Sequence, residues 1–341
     1  MGGAVVSRPS RGRRATSYDV AVAAGVAQST VSRCFLPGSE VSPATRARVQ
    51  AIAAELGYVP NALARSLITR RSDLVAVIVT EFTLRSNPAI VSGIGRALAA
   101  RGKQLLLMSV EDEAGAGRAA QGALGYPLDG LVAASALDKG DVQPLLCRGV
   151  PVVFFNRPAP LPRADRVATD HAGTARDVAA LLHAAGHRRF LCLGGAPGWP
   201  VNEERARGFT ERLAGLGAGA VPVVAAEQSY AGGRRAFLDH VRARGRPDAV
   251  FCVNDQLAFG VLDACRFELG LTPPTDISVV GCDDVAEAAH QSYDLTTVRQ
   301  SIERLAASAV DLLLRRLEAP DTDAEQVLLP GTLVRRGSAR L

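Results

Sequence analysis

Strongly apolar runs alternate with helical stretches along the chain after residue 70, and this alternation limits the folds that the chain can adopt. Continuous Val, Ile and Leu runs separated by helices are typical of parallel strands covered on both faces. Seven such runs are too many for one modest sheet, so we expect two α/β lobes with ligand chemistry at the carboxyl ends of their strands. The predicted strands are 74–80, 104–110, 129–134, 150–156, 189–194, 249–254 and 277–282, and the predicted helices include 88–101, 171–185, 201–216 and 255–269.

The first 70 residues differ, because short helical stretches are separated there by turn residues. Thr16 and Asp19 have the spacing of a capping box, which predicts a short helix that ends at Gly25. The sequence before this box is rich in Arg, Gly, Ser and Pro and is expected to be a disordered basic arm. The arm spans 1–14, and two further helices are predicted over 28–35 and 43–56.

Positive charge is concentrated in this N-terminal part. Residues 1–71 contain 10 Arg and 3 acidic residues, whereas the remaining 270 residues contain 29 basic and 31 acidic residues. A basic module on a nearly neutral body is the electrostatic pattern of a nucleic-acid-binding protein. A solvated basic tail is the alternative that charge alone leaves open.

The segment from Gly25 to Phe35 indicates how DNA would be read. Helix, glycine-containing turn and helix form the helix-turn-helix pattern, in which the second helix enters the major groove. Gln28 and Ser29 begin that helix, and Arg33 can donate two hydrogen bonds to guanine, a pairing worth ~1–3 kcal/mol of discrimination. An ordinary surface helix is the alternative. The candidate DNA contacts of this segment are Thr16, Gln28, Ser29, Thr30 and Arg33, and the packing face is predicted to join Val31 and Phe35 to Val20 and Ala24.

Several motifs, in order along residues 15–341, resemble the lactose-repressor (LacI/GalR) family of transcriptional regulators. They are DVAVAAGVAQSTVSR, VSPATRARVQAIAAELGYVPNALARSL, GHRRFLCLGG, ERARGF, VNDQLAFGVL, DISVVGCDD and LTTVRQ. The resemblance implies an all-α helix-turn-helix domain followed by a two-lobed, periplasmic-binding-protein-like core of two parallel α/β sheets. It also implies a transcriptional repressor that binds a palindromic operator in double-stranded DNA as a homodimer, under the control of a small molecule, expected to be a sugar or sugar derivative.

The resemblance sets the expected domain boundaries. The helix-turn-helix domain is expected over 15–60, a hinge helix or linker over 61–71, and the core over 72–341. The first lobe is expected to comprise about 72–168 and 299–326, and the second about 169–296 and 327–341.

Two groups of site residues are implied by the same resemblance. In the family, the short helix of the hinge forms on operator DNA and a leucine from each subunit wedges into the minor groove, a device that bends the duplex. The matching positions here are Asn61, Ala64, Arg65 and Leu67. Between the lobes, carboxylate, amide and guanidinium groups suit a polyhydroxyl ligand. The expected effector-binding residues are Asn156, Asp170, Arg205, Asn254, Asp283 and Gln300.

Three positions depart from the family pattern. Ala27 replaces a residue that is often Ser, which removes an N-cap hydroxyl from the reading helix. Ala89 and Gln228 stand where some members have an aromatic residue beside the ligand. Two alternatives follow, and the sequence leaves both open. Either the ligand is not a pyranose, or another aromatic residue takes over this role, the candidates being Phe82, Trp199 and Tyr230.

Other classes of protein fit the sequence less well. No GxSxG, HExxH or EF-hand pattern is present, His183 and His187 have no third ligand nearby, and no cofactor or metal is expected. The six cysteines lack CxxC spacing and are interpreted as buried, reduced thiols. A solute-binding protein and a sugar-modifying enzyme are the alternatives, and the sequence also allows a regulator with a protein partner or an activating role.

The chain has neither an apolar run of bilayer length nor an apolar stretch typical of a secretory signal, so we expect a cytoplasmic protein without membrane contact. No apolar heptads follow the last family motif, which favours a dimer over a tetramer assembled through a helical tail.

Overall fold

The computed structural model of the chain describes residues 15–36, 38–59, 71–162, 164–194 and 198–341. Contacts divide the chain into two compact units, Met1–Asp73 and Leu74–Leu341. Some predicted features lie outside the described residues, namely the basic arm over 1–14 and the hinge residues Asn61, Ala64, Arg65 and Leu67.

The described part of the first unit contains the three expected helices: α1 (Ser17–Ala24), α2 (Gln28–Cys34) and α3 (Pro43–Glu55). Both hydrogen bonds of the predicted capping box join Thr16 and Asp19 at the start of α1. Gly25 takes a left-handed φ of +61°, and its N–H closes the end of α1, so the glycine is required by the turn. As expected, α2 begins after Ala27 without a side-chain cap.

A small apolar core holds these helices together. Val20 and Ala24 from α1 and Val31 from α2 are buried in one cluster, and Phe35 packs against its edge. This confirms the predicted packing face of α2 and leaves the opposite face of the helix for solvent or a ligand.

The second unit begins with a sheet of six strands, and every neighbouring pair runs parallel. Its strands are β1 (Leu74–Thr80), β2 (Gln104–Val110), β3 (Gly130–Ala134), β4 (Val152–Phe155), β5 (Asp165–Thr169) and β11 (Gln326–Leu329). Their order is β11-β5-β4-β3-β1-β2.

The second sheet also has six strands and is parallel except for one edge. Its strands are β6 (Phe190–Leu193), β7 (Val223–Val224), β8 (Ala249–Cys252), β9 (Ser278–Asp283), β10 (Thr296–Arg299) and β12 (Thr332–Val334). Their order is β12-β10-β9-β8-β6-β7, and β12 runs antiparallel to β10.

Helices cover both faces of the sheets. They are α4 (Glu81–Ser86), α5 (Ala89–Ala99), α6 (Ala116–Ala123), α7 (Lys139–Cys147), α8 (His171–Ala184), α9 (Pro200–Gly215), α10 (Tyr230–Arg244), α11 (Asp255–Asp263) and α12 (Ile302–Glu318). Along β1, Val75, Val77 and Val79 join the core beneath α5 and α12, whereas Ala76 and Ile78 join the core beneath α6 and α7. Burial on both faces explains the unbroken apolar run of β1 and confirms the predicted fold class.

The described chain passes between the two sheets three times: after β5, after β10 and between β11 and β12. The second passage follows Arg299, because β10 pairs with β9 along its whole length. The third follows Leu329, since β11 pairs with β5. These two passages therefore come slightly later than the predicted lobe boundaries at 296–299 and 326–327.

All six cysteines are free thiols. Five of them are buried, as expected, but Cys147 is exposed, so the prediction of burial is wrong for this residue. Cys147 is the last residue of α7, where its side chain does not face the sheet. Within the described ranges, no helix is both long enough and apolar enough to cross a membrane.

Replacing Gly208 by alanine is expected to destabilise the second unit. Gly208 lies where α9 crosses α8, and a Cβ atom there would stand 2.8 Å from the Cα of Ala172, which is backbone and has little room to move. Overpacking of this kind costs about 1–3 kcal/mol. Urea denaturation measures the loss. Gly215→Ala is the matched control, because a Cβ at the end of the same helix meets nothing within 4 Å. Equal stability of the two variants would contradict the predicted close crossing.

Candidate functional site

The second helix of the first unit presents polar side chains away from the core. Ser29 and Arg33 are exposed, and the Nε of Arg33 donates to the carbonyl of Ser29 over 3.4 Å, within the same helix. The guanidinium tip is therefore available to a ligand. Gln28 is partly buried, and its Nε2 donates to Ser17 Oγ over 3.0 Å. Thr30 is half-buried beside them.

Thr16 has a different position from the other candidates. Its hydroxyl donates to Asp19 Oδ2 over 2.7 Å and accepts from the Asp19 backbone, so it is committed to capping α1. Residues on α1 that sequence reasoning missed are Tyr18 and Val22, which are 69% and 85% exposed. They lie four residues apart, opposite the buried Val20, and that helical spacing is the signal that would have indicated an exposed stripe on this helix.

In the second unit, one cavity lies where strands of both sheets end. The space between its lining atoms is about 540 Å³, a figure that includes open solvent. Its polar lining includes five of the six expected effector-binding residues: Asn156, Arg205, Asn254, Asp283 and Gln300. Its apolar lining includes Phe82, Ile90, Ala134, Phe155, Trp199 and Val201.

A chain of hydrogen bonds connects the two lobes across this cavity. Asn156 follows β4 in the first sheet, and its Nδ2 donates to Gln300 Oε1 over 2.7 Å. Gln300 follows β10 in the second sheet, and its Nε2 donates to Asp283 Oδ1 over 2.7 Å. Thr169, at the end of β5, donates to Asn156 Oδ1 through its backbone and to Gln300 Oε1 through its hydroxyl. Gln300 is thus a polar link between the lobes.

Two further contacts cross between the lobes. The rings of Phe82 and Trp199 meet edge to face with centroids 5.3 Å apart. The Nη2 of Arg166, on β5, lies 3.3 Å from Glu204 Oε1, on α9. Any change in the opening of the lobes must therefore alter an aromatic contact and an ion pair that border the polar chain.

Arg205 is buried and held by three acceptors. Its Nη2 lies 3.0 Å from Asp283 Oδ1, its Nη1 donates to the carbonyl of Val253 over 2.6 Å, and its Nε donates to His171 Nδ1 over 3.2 Å. His171 must be unprotonated at Nδ1 to accept this bond, and burial, together with Arg205, keeps the pKa of His171 well below its usual value. Burial raises the pKa of Asp283, and the facing charge of Arg205 opposes that rise.

Backbone strain is concentrated at the cavity. Asn156 and Asp283 have φ values of +51° and +131°, and the next residue, Asp284, has +53°. Each residue of this kind costs about 1–3 kcal/mol, and such strain is typical of sites where side-chain direction matters. Asp284 is compensated by ion pairs with Arg299 and Arg336.

One expected effector-binding residue and one of the three aromatic candidates lie elsewhere. Asp170 does not line the cavity, because its carboxylate accepts from the N–H of Gly173 and caps α8 instead. Tyr230 is also absent from the lining, and its hydroxyl donates to Asp263 over 2.8 Å. Of the aromatic candidates, the cavity therefore contains Phe82 and Trp199.

The cavity also contains Asn202, which the sequence did not single out, and Gln228, which the sequence singled out only as the replacement of an aromatic residue beside the ligand. Asn202 lies on the first turn of α9, and Gln228 precedes α10. The Nδ2 of Asn202 and the Nε2 of Gln228 are buried without a hydrogen-bond partner among the described residues. Buried amide donors of this kind are normally paired, so they indicate the place of a missing acceptor. Val201, on the same turn of α9, also lines the cavity, so this turn faces inwards.

Asp255 gives the second unit a predicted pH dependence. Burial raises its pKa from 3.8 to about 7, Asp283 adds to the rise, and hydrogen bonds from Thr297 and the Val285 backbone oppose it. The folded protein thus binds this proton more tightly than the unfolded chain, and the stability contributed by Asp255 falls as pH rises from about 4 to about 7. We expect the free energy of unfolding of Asp255→Asn to fall less over this pH range than that of the wild type. Urea denaturation at several pH values measures both. Asp239→Asn, on an exposed turn of α10, should leave the pH profile unchanged, and the same change in both variants would contradict the assignment.

Comparisons with known proteins agree with this architecture. Residues 16–61 match the family of bacterial regulatory proteins, lacI family, and residues 179–339 match the periplasmic binding protein-like domain. The HTH-type transcriptional regulator CelR of Thermobifida fusca is 34% identical, with 96% of this chain and 99% of CelR covered.

Two solved structures cover nearly the whole chain. A crystal structure of the Lac repressor dimer bound to operator and the anti-inducer ONPF has a TM-score of 0.86 at 28% identity, over 96% of this chain and 99% of that one. A complex of the transcriptional regulator CelR with cellobiose has a TM-score of 0.71 at 32% identity, over 96% and 100%.

Proposed function

The chain belongs to the lacI family of bacterial regulatory proteins, and from this premise we propose that it is a repressor whose operator affinity is set by a sugar or sugar derivative. In this proposal a homodimer binds a palindromic operator in double-stranded DNA, and the effector occupies the cavity between the lobes. Because the proposed partner is DNA, the proposed place of action is the cytoplasm.

One observation carries the effector proposal. Five polar side chains from both lobes surround one cavity, and Gln300 links Asn156 to Asp283 across it. Amide and carboxylate groups at one cleft suit the many hydroxyls of a sugar. In the relatives, CelR is seen with cellobiose and the Lac repressor with a small-molecule anti-inducer, which supports the same class of ligand here.

On the DNA side, Gln28, Ser29, Thr30 and Arg33 are proposed to meet base edges in the major groove. Thr16 is proposed to position α1 by capping its N-terminus. Any contact of Thr16 with the DNA phosphate backbone would use groups that are not engaged in that cap. The hinge residues Asn61, Ala64, Arg65 and Leu67 are proposed to order on the operator, with Leu67 in the minor groove.

The two sites are proposed to communicate through the opening of the lobes. A ligand that prefers one arrangement of the lobes shifts the population towards it, and it then changes operator affinity by the same coupling free energy. Such couplings are typically ~1–3 kcal/mol, which is roughly 5- to 150-fold in affinity.

The test is a titration of the operator with the protein, with and without low-molecular-weight metabolite fractions. The fluorescence anisotropy of labelled operator DNA measures binding. At least one fraction should change operator affinity by about fivefold or more. Asn254→Leu should abolish that response, and Tyr230→Phe, outside the cavity, should keep it. Operator affinity that no fraction alters would contradict control by a small molecule.

A further inference from the structure

The second sheet has an edge whose outward main-chain groups are unpaired. β7 lies at the end of the strand order and pairs with β6 alone. The carbonyls of Pro222 and Val224 accept from the N–H groups of Cys192 and Gly194, over 3.0 Å in each case. Main-chain groups of successive residues in a strand point to opposite sides, so those of Val223 and Ala225 point away from β6. No other described residue forms a hydrogen bond with these groups.

This edge lacks the side chains that usually protect an edge strand. Native edges are protected by charged side chains, by bulges or by a covering element, because their free N–H and C=O groups can pair with another chain. The residues over 223–226 are Val, Val, Ala and Ala, which carry no charge. Val223 is 51% exposed. The edge is therefore open to pairing with a further strand.

A groove lies beside this edge, between the segment 224–227 and one face of α10. The space between its lining atoms is about 720 Å³, a figure that includes open solvent. Small residues of α10 line it, namely Gly232, Ala236 and Ala243. From Gly232 to Arg244 the helix rises about 18 Å, a length that about five or six residues of extended chain cover. The groove thus has the position and the length of one additional short strand.

Charged side chains border the groove and leave one positive charge unmatched. Its two acidic residues, Glu227 and Asp239, lie 3.3 Å from Arg235 and 3.0 Å from Arg242. Arg244 is exposed at the end of α10, and no carboxylate of the described chain lies within ion-pair distance of it. A complementary ligand therefore carries a negative charge at the Arg244 end of the groove.

We propose that this groove binds an extended, acidic segment of a partner protein, which adds a strand to the second sheet beside β7. Main-chain groups of the partner pair with the N–H and C=O groups of Val223 and Ala225. Side chains on one face of the added strand pack on Ala236 and Ala243, and a carboxylate pairs with Arg244. The groove and the cavity between the lobes have no lining residue in common, so this inference does not rest on the proposed effector.

A display library of random heptapeptides, screened against the full chain, supplies the probe. Enriched peptides should contain β-branched residues at alternate positions and an Asp or Glu. When the best peptide is bound, amide hydrogen exchange over 221–228 should slow by about tenfold or more, because the free edge becomes hydrogen-bonded. Enrichment of no peptide, or unchanged exchange in this segment when the peptide is bound, would overturn the proposal.

Two variants test the edge and the charge separately, by fluorescence anisotropy of the labelled peptide. Ala225→Pro removes an N–H that points away from β6 and keeps the pairing of β6 with β7, so peptide binding should weaken about tenfold or more. Arg244→Glu should weaken binding about fivefold or more, whereas Arg246→Glu, the same change at an exposed arginine outside the groove, should not. Wild-type affinity in Ala225→Pro, or equal losses in the two arginine variants, would overturn the proposal.

Light scattering distinguishes a partner protein from a second copy of this chain. Because the proposed occupant is a different protein, wild type and Ala225→Pro should have the same oligomeric mass. A smaller mass for Ala225→Pro would mean that the edge already pairs with another copy, and it would overturn the proposal.

Discussion

Arg33→Ala is expected to abolish the sequence preference of DNA binding while leaving salt-sensitive, nonspecific binding. Arg33 is exposed on α2, and within the described residues its side chain makes only a long hydrogen bond inside its own helix, so its guanidinium is available to pair with guanine. Each such pair discriminates by ~1–3 kcal/mol, and a dimer contains two. Competition of specific against nonspecific duplexes measures the loss, and an unchanged preference would remove Arg33 from base reading.

The matched control is Arg48→Ala on α3, which removes the same charge from another exposed arginine of the first unit. Loss of a phosphate contact weakens binding similarly for all sequences and lowers the salt dependence. We therefore expect Arg48→Ala to retain the sequence preference. Equal loss of preference in both variants would mean that net charge, and not base reading, explains the result.

Asp283→Ala is expected to lower the free energy of unfolding of the second unit by about 3–5 kcal/mol, because it leaves a buried guanidinium without its counter-charge. Arg205 is 3% exposed, and Asp283 is its carboxylate partner at 3.0 Å. Urea denaturation followed by Trp199 fluorescence reports on this unit. The double variant Arg205→Leu with Asp283→Leu should recover much of the stability, since no charge is then left unpaired.

Asp170→Ala provides the comparison, because Asp170 is also an acid at the end of a strand but caps α8. Losing an N-cap costs about 0.5–2 kcal/mol. If Asp283→Ala cost no more than Asp170→Ala, the account of Arg205 as a buried, paired charge would be wrong.

The clearest strands could be predicted because burial on both faces leaves an unbroken apolar run. β1, which is buried on both faces, has the predicted bounds, 74–80. β2 also has the predicted bounds, 104–110, although its residues are half-buried or exposed at the edge of the sheet. β5 and β10 were missed because their sequences, DRVAT and TTVR, contain charged and hydroxyl residues whose partners lie far along the chain. Asp165 pairs with Arg316, and Thr296 with the backbone of Arg336. Such long-range pairings leave no local periodicity.

The site was predictable to the level of strand ends but not of side-chain direction. Asn254 comes just after β8 and Asp283 ends β9, so their position at the cleft could be inferred from the alternation and the family resemblance. Whether a polar residue at such a position faces the cavity depends on local backbone and on its partners. Asp170 turns to its own helix, and Asn202 faces the cavity from the first turn of α9, which no spacing in the sequence distinguishes.

Selection of binding sites for the purified protein from random duplex DNA tests the central claim most directly, with wild type and Leu67→Ala in parallel. The account predicts a palindrome with a deformable central step that the wild type enriches and Leu67→Ala enriches weakly or not at all. Absence of any enriched sequence for the wild type, with or without a metabolite extract, would contradict a sequence-specific regulator.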